Sequence, residues 1–263
     1  MMDEFASGSL QHLLALAGVG AMAVLAAQAG RVAWLGRGGL VIPRVALAAG
    51  LASCYLAFAA YNVLIWRLPL RECLPLHLCD MVLIAACVAL ARRHQAAYEF
   101  TYFYGLGGTT QALLTPELAS GFPSVEFLAF FGAHGGILVA LSLLTFGCGL
   151  RPRPGAWRWI VAAGYAYLLL VGLANTVLGT NYGYLCAKPD DASLLDYLGP
   201  WPWYLISVQA LGLALIFVLD RLAKLLHTGG LTREISGDAG PPGRPEASRA
   251  AANRCEEEQE DHG

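Results

Sequence analysis

The sequence predicts an all-α membrane protein: a seven-transmembrane-helix bundle with its N-terminus outside and its C-terminus in the cytoplasm. Three observations predict it. The 263-residue chain is 57% hydrophobic and only 14% charged, whereas a soluble domain carries about 25% charged residues. Seven apolar stretches approach the roughly 20 residues that a helix needs to cross about 30 Å of hydrocarbon. Basic residues concentrate in alternate loops, which orients the bundle. The net charge of −2 adds little beside that pattern.

The predicted spans are 10–29, 45–66, 74–91, 96–114, 127–146, 159–178 and 203–222. Continuous apolar runs of this length form helices, which satisfy their own backbone groups in lipid. The first span follows an acidic start without a basic n-region, and reads as a span that begins outside rather than a cleaved signal peptide. The third opens with LPLHLCD. The fourth, AAYEFTYFYGLGGTTQALL, holds Glu99, Thr109, Thr110, Gly105, Gly107 and Gly108. It is expected to face protein over much of its length and to kink. The fifth carries GAHGG, and Trp201, Trp203 and Tyr204 form an interfacial belt at the start of the seventh.

Arg31, Arg37 and Arg44 follow the first span, Arg92 and Arg93 the third, and Arg151, Arg153 and Arg158 the fifth. Arg221 and Lys224 open the tail. The other loops hold Arg67 and Arg71, then no basic residue, then Lys188. Positive-inside asymmetry therefore places the C-terminus in the cytoplasm. The excess of Arg over Lys and the abundance of Ala point to a GC-rich bacterial genome, and so to a multi-pass protein of the bacterial cytoplasmic membrane. Residues 1–227 form the predicted membrane domain. Residues 228–263 are rich in Gly, Pro and charge, cannot build a core, and read as a disordered cytoplasmic tail.

Asn62, His77, Cys79, Asp80, Gln111, His134, Asn175 and Gln209 all map to the outer half of this bundle. Polar groups in hydrocarbon are costly, so such a layer is a candidate site. On a helix His77 and Asp80 share a face, whereas Cys79 points away from His77. His134, at matching depth on another helix, is the better base for Cys79. A cysteine needs a neighbouring base or positive charge to become thiolate. The bland alternative is a buried thiol and a hydrogen-bonded imidazole, both common in cores. A metal site would use His77, Cys79, Asp80 and His134. No HxxxH or HExxH spacing supports it, and only His77 and His134 are counted as membrane histidines, so no metal and no cofactor are expected. No GxSxG elbow and no phosphate loop are present, and without a basic patch no nucleic-acid partner is expected. GLGGTT inside a span reads as a close-packing surface.

LPLHLCD (74–80), YEFTYFYGLGGTTQALLTPEL (98–118), FPSVEFLAFFGAHGGI (122–137), NTVLGTNYGYLCAKP (175–189) and LLDYLGPWPWYL (194–205) together resemble the YwaF-like integral membrane proteins. The resemblance runs from about the second span to the seventh. It implies kinship with a eukaryotic branch that includes an ether-phospholipid acyltransferase proposed to work through a Cys and a His. By position, Cys79 in HLCD and His134 in GAHGG match that pair. The resulting expectation is acyl transfer or ester hydrolysis on a membrane lipid through a thioester on Cys79. His77, Asp80, Thr110, Gln111, Asn175 and Asn181 are the supporting or oxyanion candidates. Membrane lipid is then both surroundings and substrate. The alternatives are a small-solute transporter or channel, and a receptor-like or scaffolding membrane protein. A disulfide between Cys73 and Cys186 is a further expectation, since both sit on the predicted oxidising side; the alternative is two free thiols in interfacial positions.

Overall fold

The computed structural model describes residues 5–29, 38–189 and 194–237. Within them the protein is helical and contains no strand. The helices are α1 (Leu10–Ala29), α2 (Val41–Leu64), α3 (Leu78–Arg92), α4 (Gln95–Phe100), α5 (Thr110–Leu114), α6 (Val125–Ser142), α7 (Trp157–Leu178) and α8 (Trp203–Gly237). A π-helical segment, Thr101–Thr109, joins α4 to α5, and a second, Leu143–Gly147, ends α6. A helix thus occupies each predicted span. Five of them, at Leu10–Ala29, Val41–Leu64, Val125–Gly147, Trp157–Leu178 and Trp203–Leu225, are long and apolar enough to cross a membrane. At 15 residues, α3 is shorter. The fourth stretch is helical from Gln95 to Leu114, and within it the helix widens into the π segment.

Helix α6 is central. Its apolar window is 56% buried, against 6–17% for the other four long helices, which turn most of their surface outward. Glycine makes this possible. A Cβ on Gly135 would lie 2.4 Å from Val19 of α1, one on Gly136 2.6 Å from Leu51 of α2, and one on Gly132 3.0 Å from the Cys54 sulfur of α2. The backbone of α6 therefore touches side chains of two neighbours directly, as small residues allow between membrane helices.

Buried polar groups fasten the helix ends. Arg44 reaches from α2 to the last carbonyls of α3, with Nε 2.8 Å from Leu90 O and Nη2 3.2 Å from Ala91 O. These carbonyls lack intrahelical partners, and a cation suits the negative end of the helix. Glu99, fully buried in α4, accepts from Gln95 Nε2, from the Arg153 backbone N–H and from Trp159 Nε1, and forms a two-pronged pair with the Arg153 guanidinium at 2.8 Å on each arm. Those bonds hold the Arg153 guanidinium above its ordinary pKa. Glu99 is thus a clasp between α4 and the entry to α7.

The described residues divide into two units, with the boundary between Lys224 and Leu225 inside α8. Helix α8 is described to Gly237; positions 238–263 of the expected tail lie outside the described residues. Arg31 and Arg37 also lie outside them. The expected Cys73–Cys186 bridge is not formed: both are free thiols.

Candidate functional site

The start of α3 carries three of the candidates. His77 precedes the helix, and its backbone N–H donates to Asp80 Oδ2 at 3.1 Å. Asp80 thus closes the first turn from within, as an acidic residue at N3 does in a capping box. The His77 ring lies edge-on to Tyr182, centroids 5.0 Å apart, and tilted to Tyr184 at 6.0 Å. The Tyr182 hydroxyl donates to Arg71 O and accepts from Leu74 N–H, both at 2.8 Å. Tyr167 of α7 donates to Leu76 O at 3.0 Å and lies within electrostatic reach of Cys79 and Asp80. The Cys79 turn is therefore held in place by α7 and by the loop that follows it.

That loop is shaped by Asn175, which is 2% exposed. Its Nδ2 donates to Tyr182 O at 2.9 Å, and its Oδ1 accepts from Tyr182 N–H at 2.8 Å and from the Thr180 hydroxyl at 3.0 Å. Helix α7 ends at Gly179, whose φ of 66° is the left-handed conformation that suits glycine there. Asn181 closes the next turn, accepting from Cys186 and Ala187 N–H and donating to Ala187 O at 2.9 Å. Gln111 donates to the Thr115 hydroxyl at 2.9 Å. Thr110 is half-buried. Gln209 lines a groove of about 360 Å³ with Leu168, Leu185, Leu205 and Ile206.

Cys79 and His134 are related through Gly105. A Cβ at Gly105 would lie 3.4 Å from Val82 of α3, and 3.1 and 3.3 Å from Ile137 and Leu141 of α6. The π segment, α3 and α6 therefore meet at this residue. The two-residue turn at Arg93–His94 folds α4 back along α3, so one turn forward from Gly105 corresponds to one turn backward along α3 and α6. Cys79 lies three residues before Val82. His134 lies three before Ile137 and seven before Leu141. Thr109 lies four after Gly105. Residues three, four and seven apart share a helix face, and one turn rises about 5.4 Å. Counted along the helices, Cys79, Thr109 and His134 each lie about one turn from the residues that meet at Gly105, on the same side of that contact.

The state of His134 follows from its contacts. Its Nδ1 lies 3.0 Å from Phe130 O, and its ring stacks on Phe130 with centroids 4.3 Å apart. A carbonyl only accepts, so Nδ1 carries the proton. Nε2 is then a lone-pair acceptor, with no hydrogen-bond partner among the described residues. In this tautomer the half-buried ring presents the Nε2 lone pair.

Two residues escaped the sequence reading. His12 lies inside the first span, so the membrane histidines number three rather than two. It is 3% exposed; its Nδ1 accepts from Gly8 N–H at 2.9 Å and its Nε2 donates to Leu113 O at 2.8 Å, tying α1 to α5. Thr109, rather than its neighbour Thr110, is the fully buried hydroxyl of the GGTT segment. No periodicity distinguishes adjacent threonines at the end of a π segment. Among the described residues no three His, Cys, Asp or Glu side chains stand close enough to hold a metal ion.

Comparison with curated proteins and with solved structures finds no match. The model of the TMEM164 family matches residues 7–220, from before α1 into α8. The match reaches every apolar helix and includes Cys79 and His134, and with the five membrane-length helices it makes this a multi-pass membrane protein that belongs to the TMEM164 family.

Proposed function

We propose that this protein is a seven-span enzyme of the bacterial cytoplasmic membrane, N-terminus outside, that transfers or hydrolyses a lipid acyl group through a thioester on Cys79. The observation that supports the reading is His134: its Nδ1 proton is committed to Phe130 O, its Nε2 has no partner among the described residues, and by helix count it lies about one turn beyond the Gly105 contact, as Cys79 does on α3. The YwaF-like resemblance points to the same pair, and the membrane location supplies lipid esters from the side.

The chemistry balances with these two residues. His134 Nε2 takes the thiol proton as Cys79 Sγ attacks the acyl carbonyl and the S–C bond forms. Collapse of the tetrahedral intermediate breaks the ester C–O bond, and the departing alkoxide takes the proton from the imidazolium. In the second half an acceptor hydroxyl or water gives its proton to Nε2 and attacks the thioester. The thiolate leaves and recovers the proton. Asp80 and Tyr167 fix the turn that carries Cys79 and take no proton.

Lipid profiles of cells producing wild type, Cys79→Ala or His134→Ala test this. Both variants should lose the same acyl species while still accumulating in the membrane. Unchanged profiles in both, beside a change produced by wild type, would sink the Cys–His assignment.

A further inference from the structure

Three threonines of this protein bond to the backbone carbonyl four residues back. Thr101 donates to Ala97 O at 2.8 Å, Thr115 to Gln111 O at 3.2 Å and Thr176 to Gly172 O at 2.9 Å. That four-residue return is the usual resting place of a helical hydroxyl. Elsewhere the hydroxyls of Thr145 and Thr180 pair with Tyr98 and Asn175. Thr109 does not follow. It is 1% exposed, and its Oγ1 is enclosed with no hydrogen-bond partner among the described residues. Thr109 ends the π segment, where the backbone ladder is wider than in the α-helices that hold Thr101 and Thr176 at their ends.

An unpaired hydroxyl buried in protein is a standing cost, and by helix count this one lies on the same side of the Gly105 contact as Cys79 and His134. We propose that Thr109 Oγ1 is the oxyanion donor of that site, which rests on the thioester reading above. In the resting protein the hydroxyl is enclosed. When an acyl chain parts α3 from α6, the carbonyl oxygen enters between them and receives the Thr109 hydrogen bond as Sγ adds to the carbonyl carbon. No proton is transferred; the bond strengthens as negative charge develops, which is how an oxyanion donor lowers a barrier. Among the other candidates the Thr110 hydroxyl is half-buried rather than enclosed, and the amides are committed. Asn175 is committed to Tyr182 and Thr180, Asn181 to the loop after α7, and Gln111 to Thr115.

The test uses the full-length protein in lipid nanodiscs with p-nitrophenyl octanoate as acyl donor, following octanoylation of Cys79 by mass spectrometry. Thr109→Val keeps the side-chain shape and removes the hydroxyl, and Thr109→Ser keeps the hydroxyl. T109V should melt at or above the wild-type temperature, because an unpaired donor has gone, yet acylate Cys79 about 100-fold more slowly. T109S should acylate at near the wild-type rate. T109V acylating like wild type, or T109S as slow as T109V, would overturn the Thr109 role while leaving the thioester intact. Wild type without an adduct on Cys79 would overturn the thioester reading and the Thr109 role with it.

Discussion

At the scale of single residues, the polar groups of the helices divide into those with hydrogen-bond partners and those without. Glu99, Asn175, Asn181 and His12 have well-filled hydrogen-bond sets. His134 Nε2 and Thr109 Oγ1 have no such partner among the described residues. Hydropathy weights all of these alike, so the sequence exposed the polar layer but could not divide it. Asn175 shows the consequence. It was a candidate oxyanion donor by depth, yet its amide is tied to Tyr182 and Thr180. Asn175→Ala would strand the Tyr182 N–H and C=O, and each stranded buried group costs about 1–3 kcal/mol. We expect the variant to lose at least about 2 kcal/mol in thermal unfolding and to gain protease cleavage within residues 180–187. A variant that melts like wild type would show that Asn175 does not clamp the loop.

At the scale of elements, helix positions were legible because apolar length is a local property. The first predicted span coincides with α1, and the sixth and seventh end or begin where α7 and α8 do. The π segment was not legible: Gly105, Gly107 and Gly108 signalled irregularity, but the widened ladder depends on how α3, α6 and α8 crowd around it. Gly107 faces Leu215 of α8, which a Cβ would approach to 2.9 Å. Nor did GAHGG reveal which helices its glycines admit. The structure assigns Gly135 to α1 and Gly136 to α2, and this gives a prediction with opposite signs. Gly135→Ala forces a methyl against the stiff side chain of Val19 and should cost about 1–3 kcal/mol. Gly172→Ala in α7, with nothing within 4 Å of the new Cβ, should gain up to about 1 kcal/mol from helix propensity. Melting temperatures of the two variants in one detergent check both. A stabilised Gly135→Ala would mean that α1 does not lie against α6 at Val19.

At the scale of the whole molecule, the decisive property is which membrane face holds the Cys79 level. Helices α3 and α6 begin at that end of the bundle, and α7 finishes there, since Tyr167 and the loop after α7 brace the Cys79 turn. If loop charges set the orientation, the Cys79 turn lies towards the outer leaflet, which under the proposed function is the source of the acyl donor. Two native cysteines report on this. Cys186 is exposed in the loop after α7, and Cys148 lies between α6 and α7. In variants that each retain one of them as the sole cysteine, a membrane-impermeant maleimide should label Cys186 in intact spheroplasts and Cys148 only after permeabilisation. The reverse pattern would invert the bundle and move the acyl donor to the inner leaflet, leaving the Cys79, Thr109 and His134 geometry intact. Labelling of both from one side would show that α7 does not cross the membrane, which would remove the basis for placing the Asn175 loop and the Cys79 turn at the same surface.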